Sequence, residues 1–161
     1  MNGISENEFA PNNNLTRAML VTVLYRIEGE PDISTDNLFD DVESGTYYEK
    51  ATAWAQTNEI VKGFSRNMFA PEVNITREQM AAIIYRYAKY KGYDTNVAEN
   101  SDVLSFVDYN EVSEYAVDSM KYAIGSGLVN GKSENTINPR DCATRAETAA
   151  ILQRLIESNN E

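Results

Sequence analysis

Ile75-Thr76-Arg77-Glu78 has two counterparts in the same chain, Leu15-Thr16-Arg17-Ala18 and Ala143-Thr144-Arg145-Ala146. The frame around them repeats too. A proline stands six residues before each arginine (Pro11, Pro71, Pro139), and a glycine eight residues before each proline (Gly3, Gly63, Gly131). A second arginine follows nine residues after the first (Arg26, Arg86, Arg154). Successive copies are offset by 60 residues (17 to 77) and by 68 (77 to 145). Such a period marks one supersecondary unit used repeatedly, which decides the fold before any single element is assigned.

The second copy is the template. Tyr47, Ala51, Trp54 and Ala55 fall at i, i+4, i+7 and i+8 and predict a helix over 47–58. Ile60-Val61-Lys62-Gly63 ends it, with Gly63 available for a left-handed turn. A loop through Pro71 leads to a second helix from Arg77 to about Lys89, with Met80, Ile83, Ile84 and Tyr87 facing inward. In the third copy Tyr115, Ser119, Tyr122 and Ala123 mark the first helix, and the second runs from Arg145 to about Glu157. The first copy supplies only a second half, with a helix from Arg17 to about Glu28. The expected fold is all-α: tandem helix-loop-helix repeats at 1–30 (a second half), 37–92 and 102–158. Each helix pair has one apolar stripe and buries it against its neighbours in a shared core. With the front of the first repeat absent, the chain reads as a fragment of a longer protein.

Composition narrows the function. Hydrophobic residues make up 42% and charged residues 24%, an ordinary globular balance. No run approaches the ~18 apolar residues of a membrane span, and no secretory leader is visible. The net charge of −11 argues against nucleic acid and against an anionic membrane surface. Cys142 is the single cysteine and histidine is absent, which removes an intrachain disulfide, thiolate metal clusters, the usual zinc ligands and the histidine-based triads. Residues 36–42 lack the oxygen spacing of a calcium loop. No cofactor is expected. The 25 acidic residues make paired carboxylates easy to find anywhere, so they do not mark a glycosidase.

Within Thr-Arg the two residues separate. Thr16, Thr76 and Thr144 stand where a helix N-cap belongs, and Gln79 and Glu147 (but not Met19) suit a capping box. The arginine falls at the first helical position, where the macrodipole disfavours a cation by about 0.3–1 kcal/mol. Two explanations stand side by side. One is a salt bridge to an aspartate of a neighbouring copy, with Asp41 and Asp108 as candidates. The other is an anion site made by the arginine fork and the unpaired N–H groups of the helix start. Arg26, Arg86 and Arg154 lie on the opposite helix face near the C-terminal end, where the dipole favours them.

Phe39 to Val42 (Phe-x-Asp-Val), Trp54-Ala55, Ile60 to Gly63 (Ile-Val-x-Gly), Phe69 to Pro71 and Ile75 to Glu78 form an ordered series. In that order it resembles the S-layer homology domain of bacterial cell-surface proteins. Phe106-Val107-Asp108, Leu128 to Gly131, Asn138-Pro139 and Ala143 to Glu147 carry the resemblance in the third copy. It implies a pseudo-threefold helical prism, and non-covalent anchoring of an exported protein at the cell surface. The implied partner is an anionic secondary cell-wall polysaccharide, often with pyruvylated amino sugars, held in grooves between repeats. No membrane insertion and no catalysis are implied. The arginine of Thr-Arg is the family's anion holder, which maps to Arg77 and Arg145, and to Arg17. A pyruvyl carboxylate on a sugar needs that fork, polar donors and a flat apolar surface. Trp54, Tyr48, Tyr115 or Tyr122 would supply the surface, Gly63 and Gly131 close backbone approach, and Asp41 and Asp108 partners for the arginines. The groove that needs the absent first helix is left incomplete, or is closed by another chain through self-association of the incomplete first repeat. The alternative is a structural or protein-binding helical repeat, or the non-catalytic part of a wall hydrolase.

Overall fold

The computed structural model describes residue 8 and residues 10–36, 39–65, 67–96 and 102–159. Five α-helices follow in chain order: α1 (Arg17–Ile27), α2 (Glu49–Thr57), α3 (Arg77–Tyr90), α4 (Val117–Gly125) and α5 (Arg145–Glu157). Single 3-10 turns occupy Asp102–Ser105, Tyr109–Glu111 and Glu114–Ala116. The described residues contain isolated bridges but no strand, so the fold is all-α, as the periodicity indicates. Gly3, Phe9, Asn37, Leu38 and residues 97–101 of the second linker lie outside the described residues.

The helix starts follow from the threonines. Thr16, Thr76 and Thr144 sit in extended backbone, and each hydroxyl accepts from the N–H three residues on. Gln79 and Glu147 close reciprocal capping boxes by accepting from the N–H of Thr76 and Thr144. Met19 has no acceptor to return, so α1 has the hydroxyl cap alone.

Two sequence expectations need correction in the first helices. Tyr47 and Tyr115 lie ahead of α2 and α4 rather than on their buried stripes, and both rings are exposed. Nor does Gly63 supply the left-handed turn after α2. Glu59 does, with φ 56°, at the position that Gly127 (φ 68°) fills in the third copy. Because glutamate there has a Cβ to accommodate, the turn leaves no glycine signature in the second copy.

The copies are joined at the residue before each Thr-Arg. Leu15 N–H donates to Ala143 O (2.9 Å), Ala143 N–H to Ile75 O (2.9 Å), and Ile75 N–H to Leu15 O (2.8 Å). This is a closed three-way cycle of equivalent residues, all fully buried. A second set runs around it: Arg17, Arg77 and Arg145 donate their N–H groups to Val73, Asp141 and Asn13. A third set joins Ala18, Glu78 and Ala146 N–H to Pro71, Pro139 and Pro11 O. Each copy therefore binds the next, and the third binds the first. Helix packing follows the same order, with α1 on α2 and α3 on α4. Equivalent aromatic pairs fill these two seams, Tyr25 against Trp54 (5.8 Å between ring centres) and Tyr85 against Tyr122 (5.3 Å).

Candidate functional site

Position N1 of α1, α3 and α5 places each arginine against the following copy. Arg17, Arg77 and Arg145 are only 5%, 3% and 5% exposed. Arg17 Nε donates to Phe69 O (2.8 Å) and Nη2 to Lys62 O (3.3 Å). Arg77 repeats this with Ile137 O (2.8 Å) and Asn130 O (2.8 Å). Backbone carbonyls, not Asp41 and Asp108, are thus the hydrogen-bond acceptors of these two fork edges. The helix starts are also not the unpaired N–H sites that the sequence suggests. In α1 the N–H groups of Arg17, Ala18 and Met19 already donate to Val73 O, Pro71 O and Thr16 Oγ1.

Asp41 and Asp108 work behind these contacts. Asp41 accepts from Phe69 N–H (2.7 Å) and Ala70 N–H (2.6 Å), and Asp108 from Ile137 N–H (3.0 Å) and Asn138 N–H (2.7 Å). Ala70 and Asn138, like Ala10, are left-handed non-glycine residues directly before proline (φ 58°, 48° and 48°). That conformation costs about 1–2 kcal/mol at a residue with a Cβ and persists where surrounding contacts over-determine it. The aspartate grips the segment from one side while the preceding copy's arginine grips its carbonyl from the other.

Among the described residues two grooves open beside Arg17 and Arg77, and their walls correspond in repeat position, except that Tyr115 of the first has no counterpart in the second. The first, about 340 Å³, is lined by Arg17, Lys62, Phe64, Gln79, Arg86 and Tyr115. The second, about 200 Å³, is lined at the equivalent positions by Arg77, Asn130, Lys132, Glu147 and Arg154. Each groove receives one arginine from its own copy and one from the copy before. Burial lowers the pKa of Arg17, Arg77 and Arg86 from the ordinary guanidinium value. For Arg17, Tyr115 opposes this lowering, while the charge of Arg86 adds to it, as two cations facing one space must. Arg86 is half-buried and has no hydrogen bond or ion pair among the described residues. The rings of Phe64 and Tyr115 are 58% and 55% exposed. Tyr115 is pinned through its hydroxyl to Glu78 Oε1 (3.2 Å), a carboxylate that Ser113 also holds through N–H and hydroxyl. Burial first, and then Glu78, push the Tyr115 phenol up to about 12.

The candidate residues divide accordingly. Arg17 and Gly63 line the first groove, Arg77 and Gly131 the second. Arg145 is buried at the third junction, and Gly3, the repeat counterpart of Gly63 and Gly131, lies outside the described residues. Trp54 and Tyr122 are core residues between copies and form no part of either groove. Trp54 is 2% exposed, and its ring meets Tyr25, Tyr87 and Tyr90. Of the aromatic candidates only Tyr115 reaches a groove, joined by Phe64, which the sequence reading did not select. Arg86 and Arg154 were also missed as site residues. They do lie opposite Arg77 and Arg145 on their helices, but that opposite face is the wall of another groove, so α3 serves both.

Gly63 and Gly131 are needed for space rather than for φ. A Cβ on Gly63 would collide with Ser65 O and lie 3.0 Å from Met68 O. On Gly131 it would lie 2.9 Å from both Thr136 O and a Phe106 ring carbon. Backbone cannot step aside as a side chain can, so Gly63→Ala is expected to cost about 1–3 kcal/mol. A urea midpoint unchanged from the parent would refute this reading of the turn.

A model of the S-layer homology domain matches residues 1–18, 38–81 and 105–149. The chain belongs to the S-layer homology family. Its relatives include "Exoglucanase XynX" of Acetivibrio thermocellus, 31% identical over 98% of this chain and 14% of that protein. The "Surface-layer 125 kDa protein" of Lysinibacillus sphaericus is 27% identical over 97% of this chain and 13% of its own length. The "Cellulosome-anchoring protein" of A. thermocellus is 23% identical over 92% and 33%. The chain thus spans a small part, about 13–33%, of these three relatives. All three S-layer homology matches include or flank a Thr-Arg junction. Among the described residues no helix is long and apolar enough to cross a membrane, and no His, Cys, Asp and Glu group is placed to hold a metal ion.

Proposed function

We propose that this chain anchors a larger exported protein to the bacterial cell wall by binding an acidic secondary cell-wall polysaccharide, and that it is not itself catalytic. The observation that carries this is the first groove: Arg86, half-buried and without a hydrogen bond or ion pair among the described residues, lines it together with Arg17 and the exposed rings of Phe64 and Tyr115. A guanidinium held in that state suits a ligand carboxylate, such as that of a pyruvyl ketal, through charge-assisted hydrogen bonds. Phe64 and Tyr115 suit the C–H face of the sugar that carries it. Relatives named for the cell surface and for cellulosome anchoring support the same reading. The net charge of −11 does not oppose it, because exposed carboxylates beyond a Debye length of about 8 Å are largely screened.

The test is co-sedimentation with purified wall polysaccharide before and after removal of its pyruvyl groups; equal binding to both would refute the carboxylate mechanism. Arg86→Ala should weaken binding roughly 10- to 100-fold, the worth of one charge-assisted bond. It should leave stability within about 0.5 kcal/mol, since that guanidinium makes no hydrogen bond or ion pair among the described residues. A parallel loss of folding would point to a structural role.

A further inference from the structure

We infer that the residue three positions after Thr76 and after Thr144 sets the charge of ligand its groove accepts: Gln79 leaves the first groove open to an anion, while Glu147 occupies the anion's place in the second. This rests on the grooves being ligand sites, and it distinguishes between them. The two positions are equivalent in the repeat, and both side chains serve the helix equally. Gln79 Oε1 accepts from Thr76 N–H, and Glu147 Oε2 from Thr144 N–H. Both capping boxes are complete, so helix stability does not choose between amide and carboxylate.

The difference lies in what the groove cations touch. In the second groove Glu147 Oε1 accepts from Arg77 Nη1 (3.3 Å) and pairs with Lys132 Nζ (3.0 Å). Arg154 Nη1 donates to Leu128 O (2.9 Å). All three cations of that groove are engaged by the protein. Burial pushes the Glu147 carboxyl up, but hydrogen bonds from Thr144 and Lys132 outweigh it and hold the group below its ordinary value, so it stays charged at neutral pH. In the first groove the Arg17 fork makes the same two carbonyl bonds and its face lies over the Phe69 ring (4.8 Å), yet its Nη1 has no hydrogen-bond partner among the described residues. Arg86 likewise makes none, although its counterpart is Arg154. Among the described residues no carboxylate lines this groove; Glu78 stands behind Tyr115, saturated by Ser113 and the tyrosine hydroxyl. The first groove therefore offers two unsatisfied guanidinium edges, and the second presents a saturated ion pair suited to an uncharged sugar.

The test uses the full chain, Gln79→Glu and Glu147→Gln, both of which keep a residue that closes the capping box. Two probes are titrated by calorimetry, with arginine side-chain NMR signals locating the binding: the pyruvate ketal of an N-acetylamino sugar methyl glycoside, and inorganic phosphate. The parent chain should bind one ketal, perturbing Arg17 and Arg86. Gln79→Glu should weaken that site about tenfold or more, as a like charge placed against the ligand does. Glu147→Gln should add a second site that perturbs Arg77 and Arg154. Equal occupation of both grooves by the parent, or an unchanged affinity in Gln79→Glu, overturns the inference and leaves the anchoring proposal intact. Phosphate confined to the first groove with no ketal binding sustains the charge assignment and refutes the carbohydrate reading. Binding of neither probe overturns both.

Discussion

Trp54→Ala is expected to lower the unfolding free energy by about 3–5 kcal/mol, whereas Trp54→Phe should cost under about 1.5 kcal/mol. The indole is the central ring of the seam between the first and second copies, packed on Tyr25 of one and on Tyr87 and Tyr90 of the other. Alanine would leave a cavity that three helices cannot close together. Phenylalanine keeps most of the contact and removes a buried Nε1–H that finds no acceptor among the described residues. Leaving such a donor unpaired already costs about 1–3 kcal/mol, so its loss offsets part of the lost volume. Urea denaturation of the three proteins decides the matter. A Trp54→Ala chain with parental stability but no affinity for wall polysaccharide would return Trp54 to the ligand site.

Trp54 also shows what the sequence does and does not disclose. Its place on a buried helix face is legible, because period and burial go together. Whether a buried face meets core or ligand depends on which copy lies opposite, and periodicity has no access to that. The same limit hid Arg86. Nine residues after Arg77 puts it across the helix, a correct local statement, but in a closed ring of repeats the far side of one helix is the wall of the next groove. The helix starts were readable from Thr, Gln and Glu because capping is local chemistry. The left-handed turn at Glu59 was not, since glutamate carries no mark of the φ it adopts. Nor were the roles of Asp41 and Asp108. A carboxylate bonded to backbone N–H groups leaves no charge partner in the sequence to point to it.

Those aspartates give the second large expectation. Asp41→Ala should destabilise the chain by about 3 kcal/mol, because two part-buried N–H groups lose a charged acceptor, each such bond being worth about 1.5–3 kcal/mol with incomplete additivity. The left-handed Ala70 would then lose what holds it, and Phe69 O would drift from Arg17 Nε. Stability and first-groove affinity should therefore fall together in Asp41→Ala, unlike in Arg86→Ala, where affinity falls alone. Adding Ala70→Gly should restore about 1 kcal/mol, since glycine adopts that φ without the Cβ penalty. Asp108→Ala should cost a similar amount but disturb the second groove, through Ile137 O and Arg77. Thermal or urea unfolding paired with polysaccharide titration separates these outcomes. If Asp41→Ala keeps full stability and loses only binding, the carboxylate acts on the ligand and not on the loop. The opposite is expected, because both carboxylate oxygens of Asp41 are already taken by the backbone they hold.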